Sequence, residues 1–366
     1  MSFESGSVSL RMFTLARPLP DDAVDHFNEN SLPSLDSVRQ DPVFGWVTGR
    51  HLLDRNINEE SAYFGGALRL SLVKAERKIP TSLLKAEMKQ EELVRIQAKE
   101  LEYVSRKEKA EIREELVDRL LPQMPAQLKE LCMVQDAETG VLYTDAVSEK
   151  QADEFIIHFR HATGVGAEPM TPASIALARK RVDVRDWYPT SFSPEVEAEQ
   201  VSDDPGYDFL TWLWFQSEAN DEFIDTPQGK ISLLIEGPLQ FVMEGGGAHE
   251  SVIRKGNPTV STEAKASLLS GKKLTKAKIS VVRGEDVWSG NFDAAEFVTR
   301  SMKLPEDPDK LDPVSRFQDR VIKIGEYRDM MFALYDQFVE VRSDKNTWKA
   351  ALNDIHSWVK KRKAVN

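Results

Sequence analysis

The sequence predicts an α+β protein of two domains, and three observations carry that expectation. The chain has 366 residues, enough for two domains and long for one undivided core. Short apolar runs broken by proline and glycine, the mark of strands, are mixed with segments whose apolar residues recur at helical spacing. Charge is segregated along the chain rather than spread through it. With 41% hydrophobic and 30% charged residues the chain can bury a substantial core, so wholesale disorder is excluded.

The first sixty residues carry Pro18, Pro20, Pro33, Pro42, Gly45 and Gly49 among short apolar runs and read as strands and turns. Residues 68–73 alternate apolar and polar and read as another strand. After Pro80, Thr81 or Ser82 caps a long charged helix over 81–121 that carries Leu84, Met88, Leu93, Ile96, Leu101 and Val104. Ser105-Arg106-Lys107-Glu108 has the form of a capping box, so the helix breaks and restarts there, then runs through Ile112, Leu116 and Leu120 to Pro122. Residues 133–144, with Asp136-Ala137-Glu138-Thr139-Gly140 in the middle, read as a β-hairpin, and 148–161 as an amphipathic helix.

Gly164, Gly166, Pro169 and Pro172 close a first domain, 1–165. Residues 166–207 read as an acidic connection containing Pro189, Pro194 and Pro205. A second α+β domain, 208–305, opens with a helix capped by Asp208 and carrying Phe209, Trp212, Leu213 and Phe215. Strands over 231–235 and 239–243, a short helix over 262–269 and a strand over 274–282 follow. Residues 317–341 and 348–359 read as closing helices within 306–366.

Forty-eight basic against sixty acidic residues give a net charge of −12. Residues 186–229 hold eleven acidic residues and no Lys or Arg. The balance reverses over 251–283, where Arg254, Lys255, Lys265, Lys272, Lys273, Lys276, Lys278 and Arg283 face Glu263 alone, or +7 in 33 residues. A basic surface on an acidic protein is therefore predicted there, with an ordinary solvated face as the competing reading.

No apolar run approaches the ~18–20 residues of a membrane span, and the N-terminus lacks a secretory segment, so a cytoplasmic location is expected. Cys132 stands alone and reads as a buried thiol. Glu154, His158 and His161 share a helix face but lack any supporting ligand pattern, so no metal is predicted. Gly271-Lys272 has Ala266 and Lys273 where a phosphate loop needs Gly and Ser or Thr, and Gly245-Gly246-Gly247 reads as a hairpin turn. The aromatic run 209–215 lies in the most acidic segment, where phosphates are repelled, and reads as core rather than as a stacking platform. No catalytic residue and no cofactor is predicted.

Gly45-Trp46-Val47, Ile79-Pro80 before Leu83-Leu84-Lys85, Arg106-Lys107-Glu108-Lys109, Glu114-Glu115-Leu116-Val117 and Leu120-Leu121-Pro122 occur in an order and spacing that resemble the RdgC family of recombination-associated proteins. The likeness continues over 136–145 and Ser148-Glu149-Lys150-Gln151-Ala152-Asp153, and more weakly through Val252-Ile253-Arg254, 270–278 and Arg316-Phe317. It implies a nucleoid-associated protein that binds double-stranded DNA without sequence preference. It also implies a head-to-head, tail-to-tail homodimer closed into a ring, which limits access of the RecA recombinase. The residues expected to clamp phosphates are Arg254, Lys255, Lys272, Lys273, Lys276 and Lys278 first, then Lys74, Arg77, Lys78, Arg106, Lys107 and Lys109. Where the family carries a Lys-Gln pair in a DNA-contacting finger, this chain reads Gly256-Asn257-Pro258, with Arg254 and Lys255 just before it. The hairpin at 133–144 and the helices from Phe317 onward are the expected ring-closing surfaces. An interaction scaffold of the recombination machinery and a hydrolase with a dispersed site stand as the alternative classes.

Overall fold

The computed structural model describes residues 3–100, 102–198, 204–219, 223–243, 250–306 and 311–361. The first half of the chain forms β1 (Val8–Leu15), α1 (Ala23–Glu29), β2 (Val43–Thr48), α2 (Glu59–Ala62), β3 (Tyr63–Phe64), β4 (Ala67–Arg77), α3 (Thr81–Lys99), α4 (Arg106–Leu120), β5 (Ala126–Gln135), β6 (Leu142–Thr144), α5 (Glu149–Thr163), β7 (Ala167–Pro169) and α6 (Pro172–Lys180). The second half forms α7 (Pro205–Ala219), β8 (Ile224–Thr226), β9 (Gly229–Val242), β10 (Ser251–Ile253), α8 (Thr262–Leu269), β11 (Lys273–Arg283), β12 (Asp286–Asp293), β13 (Val298–Lys303), α9 (Pro313–Ser343) and α10 (Lys345–Lys361). Helix and sheet are mixed in both halves, as an α+β chain requires.

The strands form one hydrogen-bonded path in the order β10-β9-β11-β12-β13-β1-β6-β5-β4-β2. β1 is the joint. Its start pairs with β13 through Val8 and Leu10, and its end pairs with β6 and β7 through Arg11 to Leu15. Strand alternation then assigns its side chains to two cores. Phe13 joins Leu68, Leu70, Leu72, Leu131 and Met133 beneath α1 and α5, where Phe27, Phe155 and Phe159 are fully buried. Val8, Leu10 and Met12 face the larger core shared with α7 and α9.

In the second half, Ile231, Leu233, Ile235, Leu239 and Phe241 of β9, Ala277, Ile279 and Val281 of β11, and Trp288 and Phe292 of β12 belong to that larger core. Phe209 of α7 lies 5.0 Å from Tyr335 and 6.3 Å from Phe292, ring centre to ring centre, so the aromatic run is core as its acidic surroundings predict. An antiparallel sheet needs only one covered face. The other face of β9, β11 and β12 carries half-exposed and polar residues.

The long helix divides where the capping box stands: the Ser105 hydroxyl accepts the Glu108 amide and the Glu108 carboxylate accepts the Ser105 amide. α3 and α4 fold against each other around Val104, Ile112, Leu116 and Leu120, with Leu84, Met88 and Ile96 alongside. The expected helix over 148–161 is α5, closed by Gly164 in the left-handed region at φ 66°. Residues 231–235 and 239–243, expected as two strands, fall on the single β9, which ends at Val242. Asp208 does not cap its helix. The Asp204 carboxylate accepts the Gly206 and Tyr207 amides instead, and Asp208 lies within α7, 1% exposed.

Within 166–207, β7 and α6 are regular structure, and Thr190, Ser191, Phe192 and Ser193 are buried against the closing helices. Trp348 Nε1 donates to Thr190 Oγ1 at 3.1 Å. Gly245-Gly246-Gly247 lies outside the described residues. The hairpin at 133–144 forms, with Met133 opposite Thr144, but it has no edge left for a second chain. β4 occupies the far side of β5 and β1 the far side of β6. α9 buries Phe317, Ile324, Tyr327, Met331 and Phe338 within its own chain, so it is mainly core. Among the described residues no helix is long and apolar enough to cross a membrane.

Candidate nucleic-acid interface

From Lys276 onward β11 alternates: Ala277, Ile279 and Val281 are buried, while Lys276 and Lys278 lie on the open face with 42% and 38% of their side chains exposed. The strand register extends that face sideways. Lys278 is opposite Glu236 of β9 and Asn291 of β12, and Asn291 is opposite Arg300 of β13. Glu236, Lys278, Asn291 and Arg300 thus form one row across four strands, about 14 Å wide at ~4.8 Å per strand. The next row holds Gln240, Lys276 and Asp293.

The cations of this face are held by carboxylates of the same face. Lys278 Nζ lies 3.0 Å from Glu236, which also accepts from Ser280 Oγ at 3.0 Å. The Lys278 ammonium holds the Glu236 carboxyl below its usual range, against a smaller upward push from burial. Lys276 Nζ is 2.8 Å and Arg300 Nη1 2.9 Å from one Asp293 oxygen, whose side chain is 6% exposed. Arg300 Nη2 donates to the Val147 carbonyl at 2.8 Å, tying the sheet to the chain just before α5.

Lys273 departs from the expectation of an exposed phosphate clamp. Both faces are covered at the start of β11, where Lys273, Leu274 and Thr275 are all buried. Lys273 Nζ is 2.5 Å from Asp208, Arg342 Nε is 3.5 Å from the same carboxylate, and Trp187 and Trp348 flank the Arg342 guanidinium at 4.9 and 4.8 Å. This is an interior ion cluster joining α7, β11 and α9. A phosphate cannot reach it.

Lys272 is half-buried and donates to Ser251 Oγ at 2.5 Å, fixing the edge strand β10. Arg254 and Lys255 are exposed just beyond β10, beside the open face, because Val252 of β10 is opposite Gln240. Neither has an ion-pair partner among the described residues.

The first-half cations are dispersed and mostly engaged. Lys74 pairs with Glu154 at 2.7 Å beside the Phe44 ring. Arg77 does not present its charge outward: its guanidinium donates to the Val38, Pro122 and Met124 carbonyls, stitching the segments before β2 and before β5 to the end of β4. Lys78 and Lys129 share Glu76 at 2.8 and 2.9 Å, and these hydrogen bonds lower the Glu76 pKa to about 2. Lys109 reaches Glu92 at 3.3 Å across the α3–α4 hairpin, and Lys107 lies 3.9 Å from Glu111, while Arg106 is exposed.

The structure therefore brings Lys276 and Lys278 together, with Arg254 and Lys255 at the neighbouring edge, and places Lys74, Arg77, Lys78, Arg106, Lys107 and Lys109 elsewhere. Arg300 and Asn291 belong to the face and were not anticipated. The signal was present in the alternation of Val287-Trp288-Ser289-Gly290-Asn291-Phe292 and Val298-Thr299-Arg300-Ser301-Met302, which reads as two half-buried strands. Among the described residues no group of three or more His, Cys, Asp and Glu side chains is placed to hold a metal. Glu154 is engaged by Lys74, and the His158 ring stacks on Phe44 at 4.2 Å, where burial lowers its pKa.

Residues 11–187 match the family model described as "Putative exonuclease, RdgC". The chain is 27% identical over 211 residues to the recombination-associated protein RdgC of Psychromonas ingrahamii, covering 53% of this chain and 64% of that one. It is 27% identical over 211 residues to that of Pasteurella multocida, covering 55% and 66%, so these two matches span just under two thirds of the relatives' length. The RdgC protein of Tolumonas auensis is 25% identical over 278 residues, covering 74% and 76%. The relatives' names state an association with recombination, whereas the family model's description names an exonuclease, and no catalytic activity follows from either. Over residues 11–187, from β1 past α6, this chain carries the RdgC family match, and along that stretch it is similar to the recombination-associated RdgC proteins.

Proposed function

We propose that this chain binds double-stranded DNA without sequence preference through the open face of β9, β11, β12 and β13, as a homodimer that encloses the duplex and limits access of RecA. The observation that carries the reading is the row of Lys278, Asn291 and Arg300 with Lys276 beside it, on a sheet face that none of the described second-half helices covers and that Arg254 and Lys255 border. Lysine, arginine and asparagine side chains suit phosphate oxygens, and such contacts position a protein on DNA without reading bases. Local basic charge on a chain of net −12 lets binding and solubility coexist. Because the hairpin at 133–144 is enclosed in the sheet, the ring-closing contacts belong to other surfaces.

Titration of a random-sequence duplex over a range of salt concentrations tests the reading. Binding should weaken with a log–log slope of about −0.9 per phosphate neutralised. A flat salt response, or a preferred site in an oligonucleotide selection, overturns it. Enclosure is tested separately: the protein should outlast a high-salt wash on nicked circular DNA and be released when the circle is cut. Equal retention on circular and linear DNA would mean one-sided gripping. Nucleotide release from duplex ends, followed in the same titrations with Mg2+, would favour the exonuclease description instead.

A further inference from the structure

Lys276, Lys278 and Arg300 do not stand open to solvent; each already rests on a carboxylate of the same face, at 2.8, 3.0 and 2.9 Å. Those are the distances at which the same cations would hold a phosphate oxygen. We infer that Glu236 and Asp293 are resident phosphate mimics, which occupy these cations in the absence of DNA, must yield or share them when a duplex arrives, and so set an upper limit on its affinity. The inference rests on the duplex-binding reading and adds the residues that oppose it.

Glu236 is not simply required by the fold. Lys278 and Glu236 are 38% and 46% exposed, and an ion pair so well solvated contributes little to stability. Ser280 Oγ nevertheless donates to Glu236, holding its carboxylate over the strand beside Lys278. Asp293 is held more firmly, 6% exposed between Lys276 of β11 and Arg300 of β13. A phosphate approaching the row must displace Glu236 from Lys278 and then share Lys276 and Arg300 with Asp293. An arrangement of this kind keeps individual contacts weak and exchangeable, which suits a protein that holds DNA without reading it.

The test compares Glu236→Gln with Glu168→Gln, an exposed carboxylate on β7 that changes the net charge equally. Both are titrated against a random-sequence duplex beside the wild type. Glu236→Gln should bind roughly 3- to 10-fold more tightly at low salt, with a log–log salt slope steeper by about 0.9 for the phosphate contact that Lys278 is freed to make, and Glu168→Gln should match the wild type. Asp293→Asn, used after its thermal midpoint shows that it is folded, should also tighten binding. If Glu236→Gln binds like the wild type, or tightens no more than Glu168→Gln, while the wild type binds duplex, the inference is overturned and the duplex-binding reading survives. If the wild type does not bind duplex, that reading falls and the inference falls with it.

Discussion

The α3–α4 hairpin and the open face of the second-half strands are both rich in charge, but they neutralise it over different distances. Between Lys74 and Arg119 the sequence interleaves twelve basic and eleven acidic residues, and on folding they meet across the hairpin: Arg95 with Glu115 at 2.5 Å, Arg119 with Glu87 at 2.9 Å, Lys99 with Glu108 at 3.0 Å. Over 251–283 acidic neighbours are almost lacking in the sequence. There the fold imports them: strand register brings Glu236 from β9 and Asp293 from β12, and the covering helix α7 brings Asp208. Charge balance read along a chain thus describes a helical hairpin well and a sheet poorly, because a strand's neighbours in space are remote in sequence.

The sharpest way to break the comparison is at Lys273, which separates position in a basic run from position on a basic surface. Lys273→Ala leaves Asp208 and Arg342 in the interior with one partner removed, and should cost roughly 3–5 kcal/mol in urea unfolding. Lys278→Ala should cost within about 1 kcal/mol. Equal costs would mean that the interior cluster carries no more than a surface pair. For the same reason a fourfold charge reversal at Lys272, Lys273, Lys276 and Lys278 should unfold the protein, because it places a second carboxylate beside the buried Asp208.

Next in size, Leu116→Ala in the narrow core between α3 and α4 should cost roughly 2–5 kcal/mol, seen as faster amide exchange over 81–121. Duplex affinity should stay unchanged if the hairpin's charges serve the hairpin. A parallel loss of affinity would return DNA contact to Arg106, Lys107 and Lys109.

Smallest is the effect of pH at Glu76. Its pKa is lowered to about 2 by Lys78 and Lys129, so its contribution to stability is complete above the ordinary glutamate range near 4.5 and disappears as pH falls toward 2. Glu76→Gln should flatten the acid limb of the stability curve over that window and leave it unchanged at neutral pH relative to its own plateau. A variant curve parallel to the wild type throughout would mean that the Lys78 and Lys129 pairs add nothing.

Much of the fold was legible because the signals were local. The capping box at Ser105, the glycine after the Asp136 turn and the apolar spacing of 148–161 and 317–341 each determine a nearby hydrogen bond or buried face. The site was legible only in part. Lys276 and Lys278 follow from alternation, but Lys273 follows from coverage by α7, whose Asp208 is distant in sequence. Arg300 was hidden because 286–303 was not recognised as two strands, although Trp288 and Phe292 alternate there with Ser289 and Asn291. The joint at β1 was not legible at all, since one strand of eight residues divides its partners between β13 and β6.

The most direct test of the central claim sets the two charged regions against each other on one duplex. Lys276→Gln with Lys278→Gln removes two cations of the open face, and Arg106→Gln with Lys107→Gln removes two of the hairpin, so both doubles change net charge equally. Salt-dependent titration should show the sheet double weakened roughly tenfold or more, with its log–log slope shallower by up to about 1.8, and the hairpin double close to the wild type. A hairpin double that loses affinity while the sheet double keeps it would contradict the assignment of DNA binding to the open face.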